Sequence, residues 1–131
     1  MNGRLGPTRK PIVTFEAFDV VVVPFPFIDR STTKRRPALV LSDARNFNKQ
    51  VGQLVLAMIT SARISSWPLD VEIEDLDSAG LPSASVVRMK LFTLDDRLVI
   101  RKAGVLSKTD KLAILDTLHQ LLNLEVHRKN I

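Results

Sequence analysis

The sequence predicts a mainly β fold closed by one C-terminal helix: a small, strongly bent sheet or barrel with that helix laid against it. Two observations carry this. Through most of the chain the apolar runs are short, of strand length, and bounded by proline, glycine or polar clusters. One longer segment, after Ser107, repeats its apolar residues at helical spacing.

The first expected strand is residues 19–26, DVVVVPFP. Four consecutive valines suit a strand buried on both faces, and Pro24 and Pro26 end regular pairing because neither donates an amide hydrogen. Residues 27–36 have little apolar content and carry Arg30, Lys34, Arg35 and Arg36, so they read as a cationic loop. Residues 37–42 are the second strand, ARNFNKQVG is an exposed connection, and residues 53–60, QLVLAMIT, are the third strand. A loop follows that holds the single tryptophan, Trp67. Residues 69–74, LDVEIE, alternate apolar and acidic side chains, the pattern of a strand with one wet face. DLDSAGLP has turn chemistry, residues 85–90 form a short strand, and residues 98–101 form another that ends near Gly104. Ser107 then opens the helix: its side chain can cap the N–H three residues on, with Asp110 as reciprocal partner, and Ile114, Leu115, Leu118, Leu121 and Leu122 follow.

A chain of 131 residues suits one domain with a core that needs no staples. Its opening, MNGRLGPTRKP, is polar, basic and broken by glycine and proline, so residues 1–17 read as a flexible basic arm. Hydrophobic residues at 45% and charged residues at 25% are those of an ordinary soluble globule. No cysteine is present, which removes disulfides, thiolate metal sites and cysteine nucleophiles and fits a reducing cytoplasm. No apolar run approaches the ~20 residues of a membrane span. The net charge of +5 favours polyanionic partners such as RNA or DNA.

Several chemistries lack their residues. Of the two histidines, His119 lies in the helix and His127 in the tail. No Ser–His–Asp order and no glycine-rich phosphate loop is present. The acidic row Asp70, Glu72 and Glu74 could face a divalent ion, but a solvated strand face is the simpler reading, and no metal or cofactor is expected. What remains is cationic and hydroxylic. Pro37 biases Arg36 towards an extended backbone, which fixes it at the start of a strand. Thr60 and Ser61 end the third strand. Arg88 and Lys90 lie two apart, hence on one face of their strand. Strand ends converging on one rim would let arginine clamp a phosphate while a hydroxyl orients it. Two simpler readings stand beside this: Arg36 as one of several solvated cations, and Arg88 as the partner of the acidic strand.

The combination of DVVVVPFPFIDRSTTKRRPALVLS, MITS and DVEIEDLDSAGLPSASVVRMKLFTLDDRLVIRKAGVLS resembles the PemK/MazF toxins of bacterial toxin–antitoxin modules, over residue 18 to about residue 124. The resemblance implies an SH3-like β-barrel of the PemK/MazF/CcdB type at residues 18–127, a four-residue tail at 128–131, and usually a homodimer. It implies a sequence-specific endoribonuclease that cleaves single-stranded RNA without a metal, inhibits translation and growth, and is neutralised by an antitoxin with a flexible acidic tail. It places the active-site arginine at Arg36 and its hydroxyl partner at Thr60, with Ser61 adjacent, and matches Arg88 to a catalytic arginine of some relatives. Lys34, Arg35, Arg30, Ser61 and Trp67 are the expected RNA-binding residues, Trp67 as a base-stacking side chain if it does not simply pack against Pro68. Three positions depart from the pattern. Phe18 stands where a glycine is often found, Lys90 stands where some relatives carry an acid, and a histidine used near the first strand by some relatives is missing. Lys90, beside two arginines whose like charge favours its neutral form, is therefore the candidate proton carrier. Two rival readings remain open at this point. One is a gyrase poison of the CcdB type, although such toxins end in an aromatic-containing tail and this chain ends VHRKNI. The other is a nucleic-acid-binding module without catalysis.

Overall fold

The computed structural model describes residues 14–25, 34–63 and 66–124. Six strands form one antiparallel sheet: β1 (Asp19–Phe25), β2 (Lys34–Val40), β3 (Gln53–Ser61), β4 (Val71–Glu72), β5 (Ser85–Asp95) and β6 (Arg101–Val105), in the order β4-β5-β3-β2-β1-β6. The C-terminal helix α3 (Lys108–Leu122) follows. A mainly β fold with one long terminal helix is thus what the apolar pattern predicts and what the chain adopts.

The sheet buries both faces, as the four valines require. Val20 joins Leu39, Ala57, Ile59, Val87 and Met89 in one core, against which Ile114, Leu118 and Leu121 of α3 pack. Val21 and Val23 join Ala38, Val40, Leu54 and Leu56 in a second core on the other face. A short helix, α2 (Leu76–Ala79), packs against β6 at one edge of the sheet. The Ser78 hydroxyl donates to the Val105 carbonyl at 2.7 Å. Gly80 and Gly104 let the two backbones meet: a Cβ at Gly80 would run into the Ala103 carbonyl, and one at Gly104 into the Ser78 carbonyl.

Element ends differ from the sequence pattern where tertiary contacts take over. β2 begins at Lys34, so the cations expected on a loop lie on a strand; Pro37 sits within it, paired with Val22. Arg30 lies outside the described residues. ARNFNKQVG is a helical turn, Ala44–Asn48 running into Lys49–Val51, capped by the Asp43 carboxylate and ended by left-handed Gly52. β5 runs five residues beyond the expected strand, to Asp95, through a register shift that pairs Ala57 with Leu91 but Met58 with Arg88. β6 starts where residues 98–101 were expected to end, because Asp96–Leu98 form a 3-10 turn.

At α3, Ser107 caps the Asp110 N–H at 3.1 Å, as expected. The Asp110 carboxylate does not reach back to Ser107. It is buried and accepts from the backbone N–H groups of Glu74 and Asp75, both at 3.0 Å, which ties the helix start to the end of β4. Phe18 holds φ +76, a conformation that suits glycine. Its N–H donates to Val40, its carbonyl accepts from Leu106, and its ring takes Lys111 at 5.0 Å. Packing on three sides therefore holds a non-glycine residue in the left-handed region.

Candidate active site and nucleic-acid interface

The site is built at one end of β2 and β3. Their ladder pairs Ala38 with Met58 and Leu39 with Ala57. Continued by two residues, that register sets Arg36 opposite Thr60. The ladder stops there because Pro37 offers no N–H. On the far side, Thr60 pairs with Val86 and Ser61 with Ser85. Arg36, Thr60, Lys34, Arg35 and Ser61 all line one cavity of about 260 Å³, whose walls also include Leu81, Pro82 and two further serines, Ser83 and Ser85. Among the described residues no carboxylate lines it.

Arg36 lines this cavity, and its Nε is buried with no hydrogen-bond partner among the described residues. A buried donor left unmade costs about 1–3 kcal/mol, so an acceptor reaching this one is favoured. Lys34 and Arg35 are exposed. Among the described residues, the ion pairs go to Arg88, Arg97 and Lys102 instead.

Arg88 is in a different state. Only 9% of its surface is exposed, and it holds Asp70 through Nε–Oδ1 at 3.1 Å and Nη2–Oδ2 at 2.9 Å. Hydrogen bonding to Asp70 raises its pKa above the ordinary arginine value, against an opposing effect of burial. Of the two readings open in the sequence, the pairing with an acid is realised: Asp70 is committed to Arg88 and also accepts the Trp67 backbone N–H at 3.1 Å. That contact sets the indole over two cations, 5.3 Å from the Arg88 Cζ and 5.8 Å from the Lys90 Nζ. Trp67 remains 41% exposed. Arg88, Lys90 and Trp67 therefore form a second group beside the cavity. Thr60 and Arg88 share a sheet face, since Thr60 opposes Val86 and Met58 opposes Arg88.

Sequence reasoning missed Ser83, just before β5, and Ser85, its first residue, neither of which has a chemical signature, and the positioning role of Asp70. A larger cavity, about 650 Å³, lies elsewhere, between the start of β1 and α3. Two of its cations are engaged, Lys102 with Asp19 at 3.3 Å and Lys111 with the Phe18 ring.

The fold has close counterparts. A MazE–MazF complex from Deinococcus radiodurans superposes with a TM-score of 0.70 at 24% identity, over 86% of this chain and all of that one. An endoribonuclease from a Mycobacterial species, solved in complex with its cognate antitoxin, gives 0.68 at 16% identity, over 88% of this chain and all of that one. MazF alone from D. radiodurans gives 0.67 at 24% identity, over 86% of this chain and all of that one. No curated protein sequence matches. The sequence profile of the PemK-like, MazF-like toxins of type II toxin–antitoxin systems matches residues 16–122. That span contains every described strand, α3 and the whole arginine–hydroxyl cavity, and the chain belongs to this toxin family.

Proposed function

We propose that this toxin is a sequence-specific endoribonuclease that cuts single-stranded RNA using the substrate's own 2′-hydroxyl, without a metal. The observation that carries the reading is Arg36, whose Nε is buried and unpartnered among the described residues and which lines a cavity of hydroxyls and cations where no described carboxylate stands. Such a cavity suits a phosphodiester.

In the reaction the 2′-oxygen bonds to phosphorus, the bond to the 5′-oxygen breaks, and a 2′,3′-cyclic phosphate is left. A base must take the 2′-proton and an acid must supply one to the 5′-oxygen. Arg36 holds the charge that builds on the non-bridging oxygens, and Thr60 orients one of them. Arg88 stays protonated under its Asp70 partner, so it contributes fixed charge and transfers no proton. Lys90, exposed at the same edge, is the proton carrier. Lys34, Arg35, Ser61 and Trp67, with Arg30, hold the strand on either side.

The toxin is neutralised by an acidic antitoxin tail and works as a homodimer. Structures of similar fold include complexes with an antitoxin, which supports the first point.

The test is incubation of the purified protein with a long single-stranded RNA in EDTA, with the ends mapped. Discrete cuts ending in cyclic phosphate are expected, and a 2′-deoxy residue at the cut site should abolish them. Cleavage of the 2′-deoxy substrate would mean that water is the nucleophile. Binding without cuts would leave a nucleic-acid-binding module, and gyrase inhibition without either would leave a gyrase poison.

A further inference from the structure

A second cavity of about 240 Å³ adjoins the first, and the two share Arg35, Pro37, Leu81 and Pro82 as walls. Its far end is closed by Arg101, at the start of β6. The strand register explains the alignment. Val22 on β1 pairs with Pro37 on one side and with Arg101 on the other. Directly opposed residues of antiparallel strands share a sheet face, so Pro37, Val22 and Arg101 form one row. Arg35, two residues before Pro37, points to that same face. Two inter-strand steps put the Arg101 backbone roughly 10 Å from β2. Opposite the row lies the Gly80–Pro82 segment, which approaches β6 so closely at Ala103 that no side chain fits at Gly80.

The charges in this trough are uncompensated. Arg35 and Arg101 are exposed, and neither has an ion-pair partner among the described residues. The neighbouring cation on β6, Lys102, does have one, in Asp19. Two guanidinium groups facing one apolar-walled trough repel each other until an anion lies between them. The walls of Val22, Pro37, Leu81 and Pro82 also thin the water that would screen such a contact.

We propose that Arg35 and Arg101 form a second phosphate subsite, which takes a phosphodiester flanking the one at Arg36 on the same RNA strand. This rests on the ribonuclease reading above. Continuity decides the ligand: a strand with its reactive phosphate in the first cavity passes Arg35 and meets Arg101 without leaving the trough. Arginine forks match phosphate oxygens irrespective of the base, so the subsite adds affinity and register rather than base readout. A carboxylate-rich peptide has related chemistry but would not need the shared wall with the reactive cavity.

The experiment measures binding of uncleavable RNA, 2′-deoxy at the cut nucleotide, to the full chain across a salt series. Wild type is compared with Arg101→Ala, Arg101→Lys and Arg101→Glu. Loss of one phosphate contact should flatten the slope of log K against log salt by about 0.7. Arg101→Ala should weaken binding of a long oligonucleotide by about tenfold, a size typical of a charge-assisted contact. Arg101→Glu should weaken it further, and Arg101→Lys should restore part of it. The loss should shrink for oligonucleotides too short to span both cavities. Unchanged affinity and slope for long RNA would overturn the subsite, as would a loss confined to an acidic peptide. A wild type that cuts and binds RNA while ignoring Arg101 sinks the subsite alone. A wild type that neither binds nor cuts sinks the ribonuclease reading and the subsite with it.

Discussion

Arg36 and Arg88 are the same side chain in opposite circumstances. Arg88 has its carboxylate already, while the Arg36 Nε is buried with no partner among the described residues. Substituting them should therefore fail differently. Arg36→Ala should lower the cleavage rate by roughly a hundredfold or more, the ~3 kcal/mol of one preorganised charge-stabilising donor, with the melting temperature kept. Activity within a few-fold of wild type would refute the assignment. Lys90→Met, assayed across a pH series, should flatten one limb of the rate profile; an identical profile would exclude Lys90 as the proton carrier. Trp67 is the single tryptophan of a chain without tyrosine, so its fluorescence reports on itself alone. RNA should quench it, and Trp67→Ala should cost ~1–3 kcal/mol of RNA affinity. That Arg36 and Thr60 stand on strands near one rim was legible in the apolar runs beside them, but their partnership came only from the family resemblance, and β2 starts at Lys34 rather than at Pro37. The Arg88–Asp70 pair was legible only as one of two options. Choosing between them needs the pairing of β4 with β5, where Val71 meets Val87, and no local pattern encodes that.

At the scale of elements, period and strand order follow from local chemistry, whereas lengths and ends follow from contacts between distant segments. The valine run, the QLVLAMIT strand and the Ser107 cap all stand where the sequence puts them. The extension of β5 does not, because it depends on a register shift against β3, and the second role of Asp110 depends on a loop 35 residues upstream. The seam between α2 and β6 is the least legible feature, since a glycine that permits backbone contact looks in sequence like any turn glycine. It is also readily tested. Gly52 and Gly80 both hold positive φ, but only Gly80 abuts another backbone. Gly52→Ala should cost about 1–2 kcal/mol from backbone strain alone. Gly80→Ala adds an overpacking cost of about 1–3 kcal/mol, for a total near 4 kcal/mol and a melting temperature lower by roughly 10 °C or more. Equal effects of the two substitutions in thermal melts would show that the seam does not bear on stability.

For the whole molecule, the excess of positive charge is not spread evenly in its consequences. Acids inside the fold take Arg88 and Lys102, while Lys34, Arg35 and Arg101 are left facing solvent around the paired cavities. An RNA backbone and an acidic antitoxin tail would both seek that surface, and this is what motivates a shared site for substrate and inhibitor. If they share it, inhibition is direct competition, and salt should weaken it because exposed charges are screened within ~8–10 Å at physiological ionic strength. Salt should not abolish it, since buried apolar anchors rather than rim charges carry most interface energy. The decisive variant is Lys34→Glu with Arg35→Glu, leaving Arg36 in place. Reversal of two exposed charges should leave the fold intact, and a thermal melt checks this. Antitoxin affinity and RNA affinity, measured on the same preparation by titration, should then fall together. RNA binding that collapses while antitoxin binding is untouched would separate the two surfaces, and neutralisation would then have to act from a distance on the geometry of Arg36 and Thr60.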